Sequence, residues 1–171
     1  MCGYVGFTNF IDDANEVLGK MMNTIIHRGP DSEGRYVDDD IAMGFRRLSI
    51  IDLAQGDQPL FNEDRSMVLT FNGERYNYQK LREELIALGH EFATHSDSEV
   101  LLHGYEQYGT ELPKKLRGMF SFVIWDKNKK ELFGARDYFG IKPDVYKRQE
   151  ITVIMILRLS ALIPVILRFR G

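Results

Sequence analysis

The first group in this chain able to do covalent chemistry is a thiol at its second residue. Cys2 follows Met1 and precedes Gly3. Removal of Met1 makes Cys2 the chain terminus, with a thiol and a free α-amine on one residue. Thiolate is the attacking species, and an adjacent amine can act as its base. A thiol titrates near ~8.5 and an α-amine near ~7.7–8.0, so the two are matched for proton exchange at about neutral pH. Gly3 leaves room for a substrate beside the new terminus. Three further sets of polar groups stand out: Arg47, the run Asn72-Gly73-Glu74, and Asp97. Taken singly, each has a structural use as well. Cys2 fits the second residue of a buried strand, Arg47 beside Arg46 a solvated strand end, Asn72-Gly73 an ordinary turn, and Asp97 a helix cap.

Other chemistry is missing. No phosphate-binding glycine loop, no His-Glu-x-x-His, no paired cysteines and no Gly-x-Gly-x-x-Gly occur. His27, His90, His95 and His103 are scattered along the chain, which predicts no metal site. One cysteine excludes an internal disulfide. A net charge of −3 gives no electrostatic case for nucleic acid. Asp12, Asp13 and Glu16 come early, where a signal peptide would be basic and then apolar, so the expected location is the cytoplasm.

The 171 residues suit one well-buried domain, with 44% hydrophobic and 27% charged residues. Tyr4–Thr8 reads as an opening strand. Asp12 and Asp13 are positioned to cap a helix whose Ala14, Val17, Leu18, Met21, Met22 and Ile25 share one face. Gly29-Pro30 ends it. Short strands are predicted at 34–37 and 41–46, an apolar stretch at 48–53 and a loop at 54–59. Met67–Phe71 reads as a strand giving way to a loop at Asn72-Gly73. Helices follow over 76–88, stopped by Gly89, and from a Ser96 cap to Gly109. Met119–Trp125 and Glu131–Ala135 form a hairpin with a lysine-rich tip. Strands in groups with helices in pairs point to an α+β layered domain with a largely antiparallel sheet.

Six motifs in order resemble one family: Met1-Cys2-Gly3, His27-Arg28-Gly29-Pro30-Asp31, Arg47-Leu48-Ser49-Ile50-Ile51-Asp52, Asn72-Gly73-Glu74, Ser96-Asp97-Ser98-Glu99 and Ala135 to Pro143. The set is similar to the N-terminal glutaminase domain of glutamine-hydrolysing asparagine synthetase, a class II glutamine amidotransferase. The resemblance implies the N-terminal-nucleophile hydrolase fold, a four-layer αββα sandwich of two antiparallel sheets. It implies Cys2 as nucleophile, with Asn72 and Gly73 as oxyanion donors. Arg47, Leu48, Ile50, Glu74 and Asp97 become the binding set for free glutamine, Arg47 on the α-carboxylate and the two acids on the α-ammonium. It implies no cofactor in this chain, ATP and magnesium belonging to a synthetase domain that is absent, and a homodimer for the complete enzyme. Runner-up readings are an amidotransferase feeding another acceptor and a non-catalytic relative acting as a binding module.

Two departures bear on this. Arg75 stands where the family has an aliphatic residue. A buried arginine is costly unless paired or reaching water, which predicts an outward Arg75 or a shifted loop at Asn72-Gly73. The pattern also changes after Pro143, giving a domain over 1–143 and an unassigned tail over 144–171. That tail holds five Lys/Arg against Asp144 and Glu150. Its apolar run 151–169 is interrupted by Arg158 and Pro164, a poor membrane span because a central arginine costs ~3 kcal/mol. The tail therefore reads as foreign to the family's pattern, leaving the sandwich incomplete at its C-terminal end.

Overall fold

A computed structural model describes residues 2–8, 12–49, 58–93 and 97–142, and the backbone of 145–149, 152–156 and 167–170. The chain divides into two compact units. The first holds Met1–Pro59, Pro143–Ala161 and Gly171, the second Leu60–Lys142 and Leu162–Arg170. Each contains one five-stranded sheet in which every pairing is antiparallel. Two antiparallel sheets with helices are the α+β class read from the pattern.

In the first unit, β1 (Gly3–Thr8), β2 (Ser32–Val37), β3 (Ile41–Arg47), β8 (Val145–Gln149) and β9 (Thr152–Ile156) run in the order β2-β3-β1-β9-β8. Helix α1 (Ala14–Thr24) lays Ala14, Leu18 and Met22 on Val5, Phe7 and Ala42. The i, i+4 spacing of those helix positions makes this face. Asp13 is the cap residue, but its side chain makes no capping bond. It adopts a left-handed conformation (φ 69°), and its carbonyl accepts from the N–H groups of Glu16 and Val17. The β2–β3 turn is closed by Asp38, whose Oδ1 accepts from the N–H groups of Asp40 and Ile41 at 2.9 Å each.

In the second unit, β4 (Leu60–Phe61), β5 (Met67–Arg75), β6 (Gly118–Asp126), β7 (Glu131–Arg136) and β10 (Leu167–Arg170) run in the order β10-β7-β6-β5-β4. Helices α2 (Tyr78–Ala87), α3 (Glu99–Tyr108) and the one-turn α4 (Leu112–Lys115) accompany them. Leu81 and Leu85 of α2 and Val100, Leu101 and Tyr105 of α3 pack on Leu69, Phe71, Phe122 and Phe133. Glycines follow both helices at positive φ, Gly89 at 98° and Gly109 at 54°. Helix α3 begins at Glu99 with Ser98 in the cap position, again without a side-chain capping bond; Ser96 lies outside the described residues.

Two expectations change. Asn72-Gly73 is not a junction to a loop, because β5 runs on to Arg75 in unbroken register with β6. The long partner strand supplies pairing that propensity for Asn and Gly does not. The second change is in the tail, whose described residues form strands and no helix. β9 pairs with β1, β8 with β9, and β10 with β7. An apolar run that joins a sheet edge satisfies its backbone through the ladder. No helix among the described residues is long and apolar enough to cross a membrane.

Phe133 is fully buried, its ring stacked 5.1 Å from Tyr105 and tilted against Phe122 at 5.9 Å. Phe133→Ala should cost about 3–5 kcal/mol of stability. Chemical denaturation should show a lower midpoint at unchanged slope; an unmoved midpoint would contradict this packing.

Candidate functional site

The groups singled out from the sequence fall into two sets, one in each unit. In the first unit Cys2 immediately precedes β1, where Gly3 stands opposite Arg46 of β3. The half-buried Cys2 sulfur is held by one residue of the segment that follows β3. Leu48 offers its N–H at 3.4 Å and its carbonyl at 3.7 Å. Arg47 ends β3 and is half-buried. Ile50 lies outside the described residues.

What fastens this corner is the His27–Asp31 segment. Arg28 Nε donates to the Cys2 carbonyl at 3.3 Å. Burial lowers the Arg28 pKa, while the charge of an ionised Cys2 raises it. The Arg28 side chain also occupies the space beside Gly3, where a Cβ would sit 3.1 Å from Arg28 Cδ. The room left by Gly3 thus goes to Arg28 rather than to a substrate. Asp31 binds the end of β3 and the residues after it twice: its N–H donates to the Arg47 carbonyl at 3.1 Å, and its Oδ2 accepts from the Ser49 N–H at 2.7 Å. Between them Gly29 passes so close to β3 that a Cβ would lie 2.3 Å from the Arg46 carbonyl carbon, so no other residue fits without a shift. Arg28 and Asp31 lie in a motif that carried the resemblance, yet nothing in the sequence alone assigned them this work.

In the second unit Asn72, Gly73 and Glu74 sit near the end of β5. Tyr76 N–H donates to the Arg117 carbonyl and Lys127 N–H to the Ser66 carbonyl, each at 2.9 Å. Both bonds belong to the register that sets Asn72 opposite Ser121 and Glu74 opposite Met119. Antiparallel pairing alternates, so the even residues of β5 turn their N–H and C=O toward β6 and Gly73 turns both toward the opposite edge. β4 covers that edge only at Val68 and Leu69. Gly73 is obligatory for a packing reason, since a Cβ there would lie 2.3 Å from the Met119 carbonyl oxygen. Beside it, the Asn72 side chain is buried, and its Nδ2 has no hydrogen-bond partner among the described residues. An unmet buried donor costs about 1–3 kcal/mol. Glu74 is exposed.

Arg75 takes neither of the positions expected of it. Its side chain is fully buried, β5 is not displaced, and its Nη2 lies 2.9 Å from Asp97 Oδ2. The guanidinium also stacks over Phe71 at 4.1 Å. Burial lowers the Arg75 pKa and Asp97 counters it. The pair is an ion pair rather than an aligned hydrogen bond, for no guanidinium nitrogen has a hydrogen-bond partner among the described residues. The other oxygen of Asp97 accepts from Ser98 Oγ at 3.3 Å. Asp97 is therefore anchored from below by a cation and stays a third exposed.

The Ala135–Pro143 motif also has a structural role. The Asp137 carboxylate accepts from the N–H groups of Ile141 at 2.8 Å, Lys142 at 2.9 Å and Phe120 at 3.3 Å. That closes the turn after β7 and leaves Tyr138 and Phe139 more than 70% exposed.

Two antiparallel sheets with helices are the fold that the resemblance implied. The fold matches the glutamine phosphoribosylpyrophosphate (PRPP) amidotransferase from B. subtilis complexed with ADP and GMP, with a TM-score of 0.73 and 18% identity over 91% of this chain and 41% of that one. The chain belongs to the glutamine amidotransferase domain family, whose model matches residues 1–168 and so passes Pro143. It is 53% identical, over 85% of its length, to asparagine synthetase [glutamine-hydrolyzing] 1 of Bacillus subtilis (strain 168), and 42% identical over 95% to asparagine synthetase 2 of that organism. It spans only 24% and 22% of those two relatives.

The Arg75–Asp97 pair makes a prediction independent of any activity. Asp97→Ala strands a buried cation and should destabilise the fold by about 1–3 kcal/mol. Adding Arg75→Leu should restore most of that loss, because an apolar side chain of similar reach needs no partner. A double-mutant cycle by denaturation checks this; additive losses would mean that the pair does not interact.

Proposed function

We propose that this chain hydrolyses glutamine, with Cys2 as nucleophile once Met1 is removed. The Cys2 α-amine takes the thiol proton as sulfur attacks the side-chain amide carbon. The resulting oxyanion takes hydrogen bonds from Asn72 Nδ2 and the Gly73 N–H. Collapse breaks the C–N bond, and the amine-held proton passes to the departing nitrogen as ammonia leaves. A glutamyl thioester remains on Cys2. Water attacks it, the sulfur leaves, and glutamate is released. Arg47 binds the α-carboxylate, a task suited to a guanidinium fork. Leu48 and Ile50 line the substrate, while Glu74 and Asp97 hold the α-ammonium.

The observation that carries this reading is the buried Asn72 Nδ2, without a partner among the described residues, next to a glycine whose N–H faces the strand edge away from β6. A protein tolerates an unmet donor beside a free N–H where a ligand completes both. The identity to asparagine synthetases supports aspartate as acceptor of the ammonia, through ATP- and magnesium-dependent chemistry in sequence beyond this chain.

Ammonia release from glutamine tests the mechanism, with intact-mass analysis for loss of Met1 and for a glutamyl adduct. Cys2→Ala should remove both turnover and adduct, and turnover near wild type would sink the assignment. Asn72→Ala should lower kcat about 10²–10³-fold with little change in KM, the pattern of a lost oxyanion donor. Arg47→Lys should raise KM instead, since an ammonium cannot reproduce the paired contact. An unchanged KM would move the carboxylate site elsewhere.

A further inference from the structure

Histidines far apart in sequence meet in the second unit. The rings of His90, just beyond α2, and His103, in the middle of α3, lie with centroids 5.2 Å apart. Glu106, one turn after His103, stands between them. One ligand atom from each of the three residues lies within 4.8 Å of the others. Glu106 Oε2 is 2.9 Å from His103 Nδ1 and 3.5 Å from His90 Nδ1. Donors around a tetrahedral ion with nitrogen and oxygen bonds of about 2.0–2.1 Å are separated by roughly 3.3 Å, close to these spacings.

We propose that His90 Nδ1, His103 Nδ1 and Glu106 Oε2 bind one divalent ion of the zinc, cobalt or nickel class. The atoms behind the donors support it. His90 Nε2 faces Gln107 Oε1 at 3.1 Å, which fixes the proton there and leaves Nδ1 as the lone pair. Glu106 Oε1 accepts from Asn62 Nδ2 at 2.9 Å, leaving Oε2 for the ion. His103 is 1% exposed, and its Nε2 has no hydrogen-bond partner among the described residues. That nitrogen looks toward Glu63 Oε1 at 3.4 Å and Glu99 Oε1 at 3.7 Å. At those distances the two carboxylates act on the ring through their charge rather than through a hydrogen bond. Three carboxylates around two imidazoles also leave an excess of negative charge that a dication offsets. Two nitrogens and one oxygen favour this class over magnesium or calcium, which prefer all-oxygen sites. The ion would clasp the segment after α2 to α3, steadying the connection that carries Asp97.

A proton is the competitor. Burial lowers the His103 pKa, but the hydrogen bond that the ring donates to Glu106 and the charges of Glu63, Glu106 and Glu99 more than offset it and raise the pKa. Metal binding requires neutral imidazoles, so proton and ion compete for the same ring nitrogens.

The test is calorimetric titration of the tag-free chain with zinc, alongside cobalt absorption in the visible. It is run on wild type and on Cys2→Ser, so that the thiol is not the ligand. One ion per chain in both, removed by chelator and raising the melting temperature, is the expected result. His90→Gln spares the buried ring of His103 and should weaken zinc about tenfold or more. Three results would each overturn the proposal: no stoichiometric binding at pH 7.5, equal affinity in His90→Gln, or a melting temperature indifferent to zinc. The last, with His103 titrating by NMR at a raised pKa, would show that the cluster holds only a proton.

Discussion

Gly29 runs against β3 with no space for a side chain, and the placement of Cys2 follows from that contact. With the backbone pinned to the Arg46 carbonyl, Arg28 on one side reaches the Cys2 carbonyl and Asp31 on the other reaches Arg47 and Ser49. Cys2 is then seated on Leu48, two residues beyond the pinned carbonyl. A chain terminus is ordinarily the least ordered part of a domain. Here the strand end is tied on both sides by one turn, so the residue proposed as nucleophile starts from a fixed position.

A comparable economy governs β5. One strand presents opposite faces through alternate residues, and its backbone groups alternate between edges by the same period. Phe71 and Arg75 fall on the face covered by helices, as Phe71 in the core cluster and the Arg75 stack over it show. Asn72 and Glu74 fall on the other face. The register with β6 then turns the Gly73 N–H, like those of Phe71 and Arg75, to the edge away from β6. A shift of one residue would exchange the two faces and hide the donor in the ladder. The long β5–β6 pairing is thus what makes Asn72 and Gly73 usable together.

The sheets, the helix faces and the β6–β7 hairpin were legible in the sequence because they rest on periodicity. The helix faces of Leu81 and Leu85 and of Val100 and Leu101 fall where their spacing puts them. Asn72-Gly73 misled, since that pair favours a turn and only the pairing with β6 overrides it. Arg75 misled for a different reason: its partner, Asp97, is distant in sequence and invisible until the chain folds. The histidines were called scattered on the same ground. His90 and His103 are brought together by the return of the chain into α3, not by any local spacing. The apolar tail gave no alternation to mark it as strand, so its pairing with β1 and β7 was unreadable too.

Arg75 has an electrostatic consequence for the substrate roles proposed here. Glu74 and Asp97 bring two negative charges toward an ammonium, and Arg75 takes one back from beneath. Attraction for the ammonium is weaker than two free carboxylates would supply. In exchange, Asp97 is held by Arg75 on one oxygen and Ser98 on the other, and it loses little rotational freedom when a ligand arrives. An aliphatic residue at 75 would give the opposite balance, a stronger but looser carboxylate. The substitution therefore exchanges charge for orientation, which keeps the geometry of an amino-acid site while lowering its pull on cations in general.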